Sequence, residues 1–357
     1  MPESSDILPG FVRDQFAPET AYLNTASYGL PPARSFDAVR AALDTWQSGR
    51  GAPISRDPQI VAEARSRFAG LLGARAADTA IGSTASALIA PIAAALPGGA
   101  EVLCAQGEFA SAVQAFHSRG DLAVRTVPLE RLAESVRDST ALVTVSVVQS
   151  ADGRVTDLRA LHAVCRERGA RLLVDATQAA GWLPLDAADA DYWVCGCFKW
   201  LLGARSVGFC VLDGTAARED GLRPVGPGWY SAEDPWANTY DAVEQAADAR
   251  RFDSTPDWLG CVATAESLAF LAEVGIDRIN RHDLALAREF REAATDLGYK
   301  PVAENASAIV SLPGAPPLAS PSVVTSHRAG ALRVSFHVFN TREDVRSAIA
   351  ALRASTG

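Results

Sequence analysis

The chain has 357 residues, 48% apolar and 21% charged, an ordinary composition for a soluble folded protein, and at roughly 150 residues per domain it is long enough for two domains. Its formal net charge of −9 argues against nucleic acid as a partner, because a phosphate backbone calls for a basic surface. No uninterrupted apolar run approaches the roughly 18 residues of a membrane span, and MPESSDILPGF lacks the basic start and apolar centre of a signal peptide.

Helical periodicity runs from Ala33 to about Ser48 and from Asp57 to about Leu72. Strand-like runs follow: EVLCAQ from Glu101, LAVRTVPL from Leu122, ALVTVSVVQ from Ala141, RLLVDATQ from Arg171, DYWVCGCF from Asp191 and SVGFCVL from Ser206, with a helix from Leu158 to Arg168 among them. Continuous apolar strands alternating with helices predict an α/β domain whose mainly parallel sheet is covered on both faces. Ligands of such sheets collect at the carboxyl ends of the strands. After Pro256 the pattern changes to a long helical stretch, about Leu259 to Leu297 with a break near Gly275. Short strands at Ala308–Leu312 and Leu332–His337 and a helix from Arg342 to about Arg353 complete a smaller α+β domain. Pro313 to Pro321 holds four prolines and reads as a loop. The expected division is an arm over 1–20, a large domain over 21–255 and a small domain over 256–357.

The six cysteines sit mostly in apolar runs without a CxxC pair. They read as buried free thiols of a reducing, cytoplasmic compartment, and no metal site is expected. Lysine is the unusual residue. Lys199 and Lys300 are the only two, against 31 arginines (33 Lys+Arg less two). Arginine keeps its charge, whereas lysine can lose its proton and attack a carbonyl. Lys199 follows the DYWVCGCF strand, and Asp175 ends the RLLVD strand with Gln178 three residues on. In a parallel sheet both side chains reach the same edge. One reading is a salt bridge; the other is a pyridoxal phosphate site, where a lysine meets the aldehyde and an acid keeps the ring nitrogen protonated. Ser83 and Thr84 begin a helix, as an N-cap or as a phosphate site. Phe109, just after EVLCAQ, is a core residue or a ring that stacks on the pyridine.

Several segments together carry a family resemblance: AYLNTASYGLPP, IGSTAS, QGEFAS, LLVDATQAAGW, CFKWLLGARSVGF, RRFDSTPDW and GALRVSFHVFNT. They resemble the class V aminotransferase family of fold-type I pyridoxal phosphate enzymes, which includes cysteine desulfurases, isopenicillin N epimerase and kynureninase. The resemblance covers most of the chain and implies a large domain with a mainly parallel seven-stranded sheet plus a smaller α+β domain. It implies Lys199 as the cofactor lysine and proton shuttle at Cα, Asp175 as partner of the ring nitrogen, Gln178 as donor to the ring phenolate oxygen and Phe109 as the stacking ring. Ser83 and Thr84 fall at the phosphate, and Gln149 near the same ring oxygen. Thr255 corresponds to a threonine that reaches the phosphate of the neighbouring subunit, so the resemblance implies a homodimer with active sites at the interface. Arg333 corresponds to the arginine that grips the carboxylate of an amino-acid substrate, with Asn24 and Ser27 shaping the mouth. Read from the residues alone, the alternative for Arg333 is a surface salt bridge.

Three departures stand out. Gly196 occupies a position where the family often has Ser, Thr or Asn toward the phosphate, leaving Cys195, Cys197 or a backbone N–H as replacements. Phe198 stands where desulfurases commonly have histidine. PGAPPLASP replaces a helix of the small domain, and no cysteine follows Cys261, which argues against a desulfurase with its own sulfur relay. The expected enzyme removes the Cα proton of an α-amino acid. A C–S lyase or desulfurase-like elimination and a transamination are the leading outcomes, with amino-acid epimerisation and a non-catalytic pyridoxal-binding protein as alternatives.

Overall fold

A computed structural model of the chain describes residues 8–49, 58–212, 214–237, 239–303, 306–318 and 320–355. The chain opens with β1 (Ala21–Tyr22), α1 (Ala33–Gln47) and α2 (Pro58–Leu71). The middle of the chain forms β2 (Thr79–Gly82), α3 (Ala85–Ala95), β3 (Glu101–Ala105), α4 (Ala110–His117), β4 (Ala123–Val127), β5 (Thr140–Ser146), α5 (Leu158–Glu167), β6 (Arg171–Asp175), β7 (Tyr192–Gly196), β8 (Gly208–Leu212) and α6 (Gly214–Glu219). The last part comprises α7 (Trp258–Val274), α8 (Ile276–Asp296), β9 (Ile309–Pro313), β10 (Val323–Val324), β11 (Ser326–Arg328), β12 (Ala331–Ser335) and α9 (Arg342–Ala354).

Seven strands form the main sheet in the order β2-β8-β7-β6-β5-β3-β4. Neighbours pair in parallel except at β8, which runs antiparallel to both β2 and β7. The fold is thus the expected α/β class. The six strands read from the sequence are present, and β2 completes the sheet. Thr79–Gly82 was not expected as a strand, since four residues bonded only to β8 leave little periodicity to detect. The buried β6 and β7 explain why their sequences lack alternation. Because β2, β3, β6 and β7 share one direction, their carboxyl ends line one edge. That edge receives the start of α3, Phe109, Asp175 and Lys199.

A second sheet, β11-β12-β9, is antiparallel, and β1 pairs in parallel with β10. Asn24 bridges to Ser335, so the first strand of the chain pairs with its last quarter. Three apolar clusters fill the interior. One face of the main sheet packs Val143, Val174, Trp193 and Phe209 against Val61 and Phe68 of α2 and Cys261 and Phe270 of α7. The opposite face packs Leu142, Leu173 and Tyr192 against Ile89 of α3 and Phe116 of α4. The third cluster joins Leu23, Phe290, Val334, Phe336 and Leu352. The clusters do not follow a division at 256, because α7 packs against α1 and α2. At Gly275, whose φ of 89° suits glycine, α8 turns by 82° from α7.

Candidate active site

The segment after β7 is bent tightly around Lys199. Leu202 N–H donates to the Lys199 carbonyl at 3.2 Å and Gly203 N–H to the Cys197 carbonyl at 2.9 Å. Leu202 adopts a φ of 55°, a conformation that costs a non-glycine residue on the order of 1 kcal/mol and persists only where packing imposes it. Gly29 supplies part of that packing. Its N–H donates to the Phe198 carbonyl at 2.8 Å, and a Cβ there would lie 2.0 Å from the Lys199 carbonyl oxygen. The AYLNTASYGLPP segment is therefore pressed directly onto the lysine turn.

Lys199 is 6% exposed. Burial lowers its pKa to about 8, opposed by nearby Asp175 and reinforced by Arg333 and Arg328. Its Nζ lies 5.1 Å from the centre of the Phe109 ring and 5.6 Å from that of Phe198. Asp175 is buried at the end of β6, where its Oδ1 accepts the Thr177 N–H at 2.8 Å. Phe109 precedes α4 and is 48% exposed, a large ring open to the cavity instead of buried in the core. Thr84 caps α3, accepting the Ala87 N–H at 3.2 Å, and Ser83 stands before it. These side chains line one cavity of about 250 Å³ together with Ser86, Ser111, Ser146, Ser150, Thr177, Gln178, Gly196 and Arg205.

A hydrogen-bond network ties the cavity wall to the last quarter of the chain. Gln178 accepts Trp200 Nε1–H at 2.8 Å and donates to the Ala26 carbonyl and to Ser150 Oγ, each at 2.9 Å. Both hydrogens of its amide are thus engaged. Arg333, 2% exposed on β12, donates to the Ser150 carbonyl, to Ser27 Oγ at 2.8 Å and to Ser326 Oγ at 3.1 Å. None of these acceptors is charged. Burial, and then the neighbouring Arg328, lowers the Arg333 pKa to about 10, the response of a buried cation without a counter-ion. The Trp200 carbonyl accepts His337 Nε2–H at 2.9 Å, while His337 Nδ1 faces Asp283 Oδ2 at 3.0 Å inside the core.

The remaining expected residues lie elsewhere. Gln149 does not line the cavity, and its Nε2 donates to Glu108 Oε1 at 2.6 Å. Asn24 bridges β12, and among the described residues its buried Oδ1 has no partner. Thr255 is exposed on the loop before α7, where its Oγ1 would lie 3.9 Å from a Cβ on Gly228. Sequence reading missed Glu108, Ser150, Thr177 and Arg205, although each falls within or beside a quoted motif. Glu108 also accepts the Ser146 N–H at 2.8 Å and its hydroxyl at 2.6 Å. Burial raises the Glu108 pKa and the charge of Asp175 adds to that rise, against these hydrogen bonds.

A lysine and a carboxylate at adjacent strand ends, under an open aromatic ring and beside a helix start, define the site of a fold-type I enzyme. The class V aminotransferase family profile matches residues 48–312, and the chain belongs to that family. The chain is 28% identical over 319 residues to an uncharacterized aminotransferase, YcbU, of Bacillus subtilis, covering 82% of this chain and 83% of the relative. It is 29% identical over 317 residues to the isopenicillin N epimerase of Amycolatopsis lactamdurans, covering 80% and 78%. Among solved structures, the cysteine desulfurase CsdA of Escherichia coli matches with a TM-score of 0.84 over 98% of both chains at 18% identity, a likeness of fold.

The residues present fit pyridoxal phosphate, the cofactor of this family. The cavity holds one amine, one carboxylate, an uncovered ring and the free N–H groups of a helix start.

Proposed function

We propose that the chain is a pyridoxal phosphate enzyme that removes the Cα proton of an α-amino acid, with β-elimination of the C–S lyase kind and transamination as its leading outcomes. When bound, the cofactor supplies an aldehyde for amino groups and a protonated ring that draws electrons from Cα. Lys199 would hold that aldehyde, and as a free amine would take the Cα proton as a general base. A pKa of about 8 leaves a useful fraction neutral near physiological pH. Asp175 would hold the proton on the ring nitrogen, and Phe109 would stack on the ring. Gln178 stands ready to donate to the ring oxygen by giving up one of its present acceptors. Ser83, Thr84 and the start of α3 would hold the phosphate. Arg333 takes the substrate carboxylate in a bidentate pair, with Ser27 and Asn24 beside it.

The observation that carries this reading is the pairing of two buried cations with opposite needs. Lys199 is poised to lose its proton next to one carboxylate, while Arg333 keeps its charge among neutral acceptors only. All six cysteines are buried. Burial raises the thiol pKa of Cys165 and Cys261 to about 12 and those of Cys195 and Cys197 well above 9. This supports a reaction whose sulfur or nitrogen product leaves as a small molecule over one relayed through a protein thiol. The exposed Thr255 before α7 supports a homodimer with each site completed by its partner. Borohydride trapping followed by peptide mapping tests the assignment, with label expected on Lys199. Label on Lys300, or none, overturns it. Assays for pyruvate, sulfide, keto-acid-dependent amino transfer and D-amino acid then separate the outcomes.

A further inference from the structure

The cofactor's phosphate would carry close to two negative charges near neutral pH, yet the family's usual side chain toward it is missing at Gly196. The expected substitutes do not supply it. Cys195 and Cys197 are fully buried and do not line the cavity. The Gly196 N–H already donates to Thr177 Oγ1 at 3.0 Å. Phe198 has no donor.

Among the described residues, three ionisable side chains line the cavity: Asp175, Lys199 and Arg205. Lys199 is committed to the aldehyde. Arg205 shares the lining with Ser83, Thr84 and Ser86 at the α3 end. Among the described residues it has no carboxylate partner, in a chain where Arg65, Arg154, Arg171 and Arg250 each hold at least one. Its guanidinium carbon lies 5.1 Å from the centre of the Phe198 ring. Stacking on an aromatic face leaves the in-plane N–H groups free to meet an anion. The backbone is fixed on both sides: Ala204 N–H donates to Thr264 Oγ1 at 3.1 Å and Ser206 Oγ–H to Asp257 Oδ2 at 2.5 Å.

We propose that Arg205, laid on Phe198, is the cation that binds the cofactor phosphate in place of the side chain absent at Gly196. The proposal rests on the cofactor reading above. It also gives Phe198 a purpose: an aromatic platform where a histidine is common in desulfurases.

The test is titration of apoprotein with pyridoxal phosphate and with pyridoxal, which lacks the phosphate, following the visible band of the lysine-bound cofactor. Arg205→Ala and Arg205→Gln are expected to weaken pyridoxal phosphate about 10- to 100-fold, the range of a lost charge-assisted contact. Pyridoxal affinity and sedimentation should stay unchanged, and Arg205→Lys should recover part of the loss. Equal weakening of both ligands, no weakening of either, or loss of cofactor only through dissociation of a dimer would each overturn the proposal. If wild-type protein forms no band with either aldehyde, the cofactor reading itself fails and this proposal falls with it.

Discussion

The two ends of the main sheet treat charge in opposite ways. At the amino ends lies a cavity of about 1000 Å³ lined by Arg171, Asp191, Tyr192, Glu219 and Asp220. Arg171 there meets Glu219 at 2.9 Å, Asp220 at 3.0 Å and Asp191 at 3.4 Å, and the Tyr192 hydroxyl donates to Asp220. At the carboxyl ends the cavity is only about 250 Å³. Yet among the described residues Arg205 and Arg333 lack carboxylate partners, and Lys199 has its pKa pulled down by burial. Size alone would select the amino ends. Arg171, Asp191, Glu219 and Asp220 spend their charge on one another, while the unmatched cations at the carboxyl ends keep theirs for a molecule that arrives.

The contrast breaks most sharply at Lys199. Lys199→Ala should abolish cofactor capture and lower turnover by at least about 10²- to 10⁴-fold, the usual share of a positioned acid–base group. Capture unchanged by absorbance would refute the site. Asp175→Asn keeps the shape but removes the charge, and should lower turnover by about 10²- to 10³-fold with cofactor still bound. An unchanged rate would return Asp175 to the salt-bridge reading. Arg333→Gln should raise KM for the amino acid by about 10- to 100-fold while sparing simple amines without a carboxylate. Equal losses for both would place Arg333 outside substrate binding.

The pH dependence sharpens the same comparison. Only neutral Lys199 attacks an aldehyde, and its pKa lies at about 8 instead of 10.5. The capture rate should therefore climb about tenfold per pH unit below that value and level off above it. Stopped-flow absorbance that keeps climbing to pH 10 would contradict the buried-amine geometry. The smallest effect belongs to the other end of the sheet. Arg171→Ala should cost about 1 kcal/mol of stability, since its ion pairs remain partly solvated. Thermal melts should shift by a few degrees at most, and cofactor capture should not change.

Much of this arrangement was legible in the chain. The strands from β3 to β8, the large C-terminal helices and the break at Gly275 follow from runs of neighbours, whose periodicity is local. Lys199, Asp175, Phe109, Ser83, Thr84 and Gln178 line one cavity as the motifs suggested. The family assignment and the parallel sheet agree with the comparisons. Less legible was Gln149, because nothing in SVVQSADG reveals that its amide is taken by Glu108. The short β1 and β10 were equally hidden, being two residues each and defined only by pairing across the chain.

The sequence by itself determined which segments become strand or helix, and which lysine has a motif around it. Tertiary structure alone decided which charged groups lose their partners. Ser27 meets Arg333, Arg65 meets Asp253 and His337 meets Trp200 across separations no local pattern encodes. Arg205 looks like any other arginine of the chain until folding sets it on Phe198 beside the start of α3. Desolvation and pairing are properties of what surrounds a side chain in space, and that surrounding comes from segments far apart in the chain.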